Sequence, residues 1–153
     1  MRWTPHVTVA TVIEKDGRFL LVEEWSGDQL VFNQPAGHVE PNETFANAAV
    51  REALEETGWD VELSHISGIY VCDSARSDVT YQRICYAGKA VQHHEGKPLD
   101  TGIERAVWLT LDELKAQPEK HRSPVVVQCI EDYIAGKNYP IDLVWHYQPQ
   151  NKP

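Results

Sequence analysis

Residues 6–14, His-Val-Thr-Val-Ala-Thr-Val-Ile-Glu, alternate between apolar and polar side chains and are rich in β-branched residues, and residues 18–25 form a second apolar run. Asp16-Gly17 between them is a tight-turn dipeptide, so the two runs predict a hairpin. A short extended piece over 29–33 then leads into Gln34-Pro35-Ala36-Gly37, and a helix is expected over 44–57. Residues 60–72 and 79–91 read as strands joined by the polar loop 73–78, a long second hairpin with Gly68 and Gly88 as bulge positions. Beyond the polar loop 92–102, a short strand is expected over 103–109, followed by a short helix opened by the capping box Thr110-Leu111-Asp112-Glu113. Ser123-Pro124 opens an amphipathic helix carrying Val125, Cys129, Ile130, Tyr133 and Ile134, which stops at Gly136. The element order is therefore β-β-α-β-β-β-α-α, an α/β arrangement in one domain over 1–153.

The helix over 44–57 is the anomalous element. It is rich in Ala, Leu and Glu, has no interior Gly or Pro, and stops at Gly58, the residue that best tolerates a left-handed conformation. At about 100° per residue, Glu52, Glu55 and Glu56 share one face, which leaves Ala46, Val50, Ala53 and Leu54 as the expected core face. Like charges at i,i+4 cost a helix about 0.2–0.5 kcal/mol, and anions in its last turn oppose the negative helix end by about 0.3–1 kcal/mol each. A solvated acidic face is the plain reading. The functional reading is that a cation resolves the conflict, and hard oxygen ligands without Cys or His beside them suit Mg²⁺, with Mn²⁺ as a substitute.

Charge narrows the partners. A formal net charge of -9 and a pI near 5.2 argue against a nucleic-acid or anionic-membrane surface, because binding polyphosphate backbones needs dense Lys and Arg. If the ligand is a phosphate compound, a metal and a few local cations must carry it. Cys72, Cys85 and Cys129 are odd in number and widely spaced, which suggests neither a disulfide framework nor a zinc site and points to a reducing cytoplasm. No apolar run approaches the length of a membrane span and the first residues lack a signal core, so a soluble chain is expected.

Other side chains carry paired readings. His38, beside the turn, is either a phosphate contact or a satisfied structural group. Arg76, Tyr81 and Arg83 reach an anionic or aromatic ligand or, the plainer choice, form the exposed face of a sheet. His93-His94 reads as solvated surface, because adjacent residues point apart and no third soft ligand lies nearby.

Residues 37–59 fit the pattern G-x5-E-x7-R-E-U-x-E-E-x-G-U through Gly37, Glu43, Arg51, Glu52, Glu55, Glu56 and Gly58. At average residue usage these matches arise by chance at about one start position in 10⁹. The segment thus resembles the signature of the Nudix hydrolases, with Ala53 and Trp59 at its apolar positions and Pro35-Ala36-Gly37 in place of the commoner Pro-Gly-Gly. The resemblance implies an α/β/α sandwich with a mixed central sheet and a loop-helix-loop catalytic motif. It also implies hydrolysis of a nucleoside diphosphate linked to another group, with Gly37, Glu52, Glu55 and Glu56 holding the metal. Glu43 and Arg51 would then support the site, and one of Glu52, Glu55 or Glu104 would act as general base, with Asp100 the second choice for an acid from the region of Glu104.

Shorter stretches, Pro5-His6-Val7-Thr8-Val9, Asn33-Gln34-Pro35-Ala36-Gly37-His38 and Arg122-Ser123-Pro124, look like the NudJ subgroup of bacterial phosphatases. That likeness implies nucleoside tri- and diphosphates, and thiamine-type pyrophosphates, as substrates, with Asn33, Gln34, Arg83 and Arg122 as contacts to base, sugar or phosphate. An ADP-ribose or dinucleoside polyphosphate pyrophosphatase, or a nucleotide-sensing module without turnover, are the alternatives, and a monomer or a homodimer fits either.

Overall fold

Strand β1 (His6–Lys15) is the spine of the molecule. Thr8 through Ile13 are all buried, so its apolar-polar alternation does not separate core from solvent: the strand is covered on both faces. Val9 packs towards helix α1 (Phe45–Thr57) with Ala48, Ala49, Ile66, Ile84 and Tyr86. Ala10 and Val12 project the other way, onto helices α2 (Leu111–Lys115) and α3 (Val125–Ile134), through Leu114, Val126, Cys129 and Ile130. The computed structural model describes residues 2–150.

The expected first hairpin forms, but β1 and β2 (Arg18–Ser26) pair only next to the turn, at Glu14↔Phe19 and Lys15↔Arg18. Beyond it they diverge. β1 runs parallel to β6 (Thr80–His93) and antiparallel to β4 (Ala36–His38), and β6 pairs along its length with β5 (Trp59–Asp73). β2 lies antiparallel between β3 (Gln29–Asn33) and β7 (Ile103–Leu109). The result is a mixed sheet flanked by helices. The second hairpin is irregular at Gly68, where the register shifts, whereas Gly88 pairs regularly with Leu63 at the edge of a neighbouring shift.

Register assembles one end of the molecule. Thr8 lies opposite both His38 on β4 and Arg83 on β6, and His6 lies opposite Tyr81. The segment before α3 docks beside β3, with the Arg122 N–H donating to the Phe32 carbonyl (2.9 Å), which delivers Arg122 to the same end. No helix among the described residues is long and apolar enough to cross a membrane.

Candidate functional site

Helix α1 begins where Thr44 Oγ1 accepts from the Asn47 N–H (3.1 Å), so Thr44 rather than Asn42 is its cap. It ends at Gly58, whose φ of 77° places it in the left-handed region with its N–H on the Leu54 carbonyl (2.9 Å). The buried stripe corrects the expected core face: Ala48, Ala49, Glu52, Ala53 and Glu56 point inwards, while Ala46, Val50 and Leu54 are half-buried. Two acids occupy positions that a structural helix would give to apolar residues. Strand β4 explains how they fit. The Ala36 N–H donates to Glu56 Oε1 (2.8 Å), and a Cβ built on Gly37 would overlap the Glu52 carboxylate. Only a residue without a side chain lets the carboxylate lie there.

Carboxylate oxygens of Glu52, Glu55 and Asp100 lie within 4.8 Å of one another. Asp100 comes from the loop between β6 and β7, which folds onto the end of α1: its N–H donates to the Glu55 carbonyl (3.0 Å), and the His94 N–H donates to the Gly58 carbonyl (2.8 Å). Arg51 is the cation at the centre, donating to Glu43 Oε2 (2.6 Å) and Oε1 (2.9 Å), Glu52 Oε1 (2.9 Å), Glu55 Oε2 (3.1 Å) and the His38 carbonyl (3.2 Å). These hydrogen bonds, Glu43 first, hold its guanidinium more basic still.

The acids are not neutralised by one arginine. Burial pushes the Glu56 carboxyl up to about 9, with Glu24, Glu52 and Asp100 adding like-charge repulsion against the single Ala36 N–H. Glu52 is raised as well, by burial and then by Glu55 and Asp100, with Arg51 opposing. Hard oxygen donors, a glycine cradle and a surplus of negative charge fit a divalent cation such as Mg²⁺ or Mn²⁺.

A cavity of about 690 Å³ opens beside this cluster, meeting it at Ala36, Gly37 and His38. Its lining includes Glu24, Asn33, Tyr81, Arg83 and Arg122, together with the 73–77 loop. Arg83 donates to Gln34 Oε1 (2.7 Å) and Asn33 Oδ1 (2.9 Å), and Gln34 Nε2 is tied to the Val126 carbonyl (2.7 Å). Asn33 Nδ2 donates in turn to Glu24 Oε1 (3.2 Å), which also takes Arg122 Nη1 (3.4 Å). At the rim, His38 Nε2 and His6 Nδ1 lie 3.1 Å apart, and Tyr81 packs edge-on against His6.

The structure thus brings Gly37, Arg51, Glu52, Glu55 and Glu56 together, and gathers Asn33, His38, Arg83 and Arg122 around one cavity. It separates two residues from those groups. Glu104 lies exposed on β7, where its carboxylate accepts from Trp25 Nε1 (3.1 Å), and Asp100 stands by the helix acids instead. Gln34 is fully buried beneath Arg83, a support rather than a wall. Arg76, Tyr81 and Arg83 line the cavity, against the plainer reading of them as an outer sheet face. His94 pairs with Asp60 (2.7 Å) and His93 packs against Trp59 (4.8 Å between rings). Glu24 escaped sequence reasoning altogether. An acid in an apolar strand, next to a second acid, was the available signal.

Residues 2–128 match the family described as the NUDIX domain. The chain is 36% identical over 140 residues to Phosphatase NudJ of Escherichia coli strain K12, covering 92% of this chain and 90% of that protein. Among solved structures, a NUDIX hydrolase from Nitrosomonas europaea is 48% identical with a TM-score of 0.92, over 94% of this chain and 98% of that one. A MutT NUDIX hydrolase from Burkholderia pseudomallei shares the fold at 21% identity and a TM-score of 0.72, over 85% of this chain and 98% of that one. A buried acidic helix cradled by a glycine, matched almost end to end by these relatives, leads to one conclusion: this chain belongs to the Nudix hydrolase family and acts on phosphoanhydride bonds.

Proposed function

We propose that the protein is a Mg²⁺-dependent phosphatase of nucleoside tri- and diphosphates that releases orthophosphate, with thiamine-type pyrophosphates as a second substrate class. The observation that carries this reading is the joining of two features at Gly37: the oxygens of Glu52, Glu55 and Asp100 within 4.8 Å of one another, and a cavity of about 690 Å³. A space of that size suits one nucleoside or thiamine unit, with its phosphates directed at the acids. The name carried by the Escherichia coli relative supports phosphate release.

Glu52, Glu55 and Glu56, with Asp100 and the Gly37 backbone, are the residues that would hold the ion. When bound, it neutralises phosphate charge and lowers the pKa of a water. Arg51 holds Glu52 and Glu55 close together through one nitrogen, and its bidentate grip on Glu43 fixes the guanidinium itself. Glu55, less buried than Glu52, takes the proton of the attacking water. The new bond forms between that oxygen and the terminal phosphorus, the bond from phosphorus to the bridging oxygen breaks, and orthophosphate and the shortened nucleotide leave. Arg83, whose partners are amide oxygens, receives the anionic part of the substrate from the cavity side.

Purified protein with Mg²⁺ and a panel of nucleoside di- and triphosphates, ADP-ribose and thiamine pyrophosphate, resolved by chromatography beside Glu56→Gln, tests the reading. Orthophosphate release that the variant loses is the expected result. Pyrophosphate plus a monophosphate would retain the family chemistry and remove the phosphatase assignment.

A further inference from the structure

Glu24 is out of place in a cavity that receives phosphates. It is half-buried on β2, lines the cavity, and follows a register shift between Glu23 and Glu24, an irregularity of the kind that re-aims a strand side chain. Its Oε1 accepts from both Asn33 Nδ2 and Arg122 Nη1, which together fill the two lone pairs of that oxygen. Oε2 has no hydrogen-bond partner among the described residues, and it is not one of their sealed, unpaired polar atoms, a group that holds only Thr11 Oγ1. The free oxygen therefore opens to the cavity.

Its direction is fixed from behind. The Val126 carbonyl holds Gln34, Gln34 and Asn33 together hold Arg83, and Arg83 on Asn33 Oδ1 forces the Asn33 NH₂ towards Glu24. Three side chains, Gln34, Arg83 and Asn33, thus run from the backbone of α3 to one carboxylate oxygen and fix the direction of the other. An anionic group is a poor occupant for that acceptor, and Glu24 stands outside the group of acids whose oxygens gather within 4.8 Å of one another. A neutral N–H donor satisfies it.

We propose that Glu24 is a specificity-determining residue that accepts a hydrogen bond from an exocyclic amino group on the ring of the substrate. It selects rings that carry such a group, as adenine, guanine, cytosine and the aminopyrimidine of thiamine do, over hypoxanthine and uracil. The inference rests on the nucleotide-phosphatase reading above and deepens it. It also joins that reading's two substrate classes, nucleotides and thiamine-type pyrophosphates, by one shared group.

The test is the ratio of kcat/KM within matched pairs, GTP against ITP and CTP against UTP, for the wild type and Glu24→Gln. Each protein is its own control, so a partly folded variant does not distort the ratio. The wild type is expected to favour the amino member by about tenfold, which is about 1.4 kcal/mol. In Glu24→Gln the amide oxygen keeps Asn33 and Arg122 and the amide NH₂ enters the cavity, so the preference collapses and the CTP/UTP pair inverts. A wild-type ratio below threefold in both pairs, or a ratio that survives the substitution, overturns the proposal. Calorimetry with GMP and IMP separates the two failures. If no triphosphate is hydrolysed the phosphatase reading falls, whereas a GMP preference that Glu24→Gln abolishes still upholds Glu24, and its absence removes it.

Discussion

Two arginines anchor the two ends of the site, and their company is opposite in kind. Arg51 stands among acids, with Glu43, Glu52 and Glu55 in direct contact and Glu40 at 3.7 Å. Arg83 stands among amides, the side-chain oxygens of Asn33 and Gln34, with the Cys129 sulfur at 3.7 Å. Both guanidiniums are held by several bonds, but only one is discharged by them. Around Arg51 the negative charge exceeds what one cation cancels, so that end attracts a metal. Around Arg83 the amides fix geometry without cancelling charge, so that end attracts an anion. Acid and amide, both oxygen acceptors, do the same positioning work and leave opposite fields behind.

The comparison breaks most sharply at Glu52. Glu52→Gln should lower kcat for phosphate release by more than about 100-fold, beyond what losing a supporting residue around a metal costs. The unfolding temperature should hold or rise, because burial already favours the neutral form of Glu52. Gly37→Ala comes next. Its methyl group would displace the Glu52 carboxylate, and an activity loss of about 10- to 100-fold in the same assay is expected. The two arginines separate in denaturant titrations. Arg83→Met leaves Asn33 Oδ1 and Gln34 Oε1 without their donor, at about 1–3 kcal/mol for each unpaired group, and Mg²⁺ does not restore it. Arg51→Met also destabilises, but Mg²⁺ should recover most of the loss, because both cations answer the same surplus charge.

The smallest effect is in pH. The Arg51 hydrogen bonds are the largest influence on Glu43 and hold its carboxyl below the ordinary 4.5. A depressed folded-state pKa stabilises the fold in full above that ordinary value and is lost as pH falls through the folded one. Urea titrations between pH 5 and 3 should therefore show a decline in stability that is shallower in Glu43→Gln.

The metal end was legible in the sequence and the cavity end was not, for a physical reason. Helical periodicity converts spacing into a shared face, so Glu52, Glu55 and Glu56 could be placed together from their numbers alone. Yet the same geometry misassigned the core face, because placing the core opposite the three acids puts Ala46, Val50 and Leu54 inside. The protein instead buries Glu52 and Glu56. The cavity wall draws on β2, β3, β6 and the segment before α3, which meet through sheet register, and no local pattern records that. Asn33, Gln34, Arg83 and Arg122 came from family likeness instead. Family likeness points to an acid near Glu104, with Asp100 second, whereas the loop that carries Asp100 is pinned to α1 by its backbone. Strand β4, three residues long and preceded by Pro35, is too short to show alternation and exists because β1 offers it an edge.

That pinned loop also gives the site a chronology. Helix α1 closes its turns with nearby residues and is quick to form, but the carbonyls of Glu55 and Gly58 at its end wait for Asp100 and His94, which follow the whole β5–β6 hairpin in the chain. Three acids are present early, when the helix is a local structure, and the fourth arrives only when distant strands have closed. A partly folded chain therefore holds an incomplete acid cluster, and the cluster closes at the end of folding rather than at its beginning.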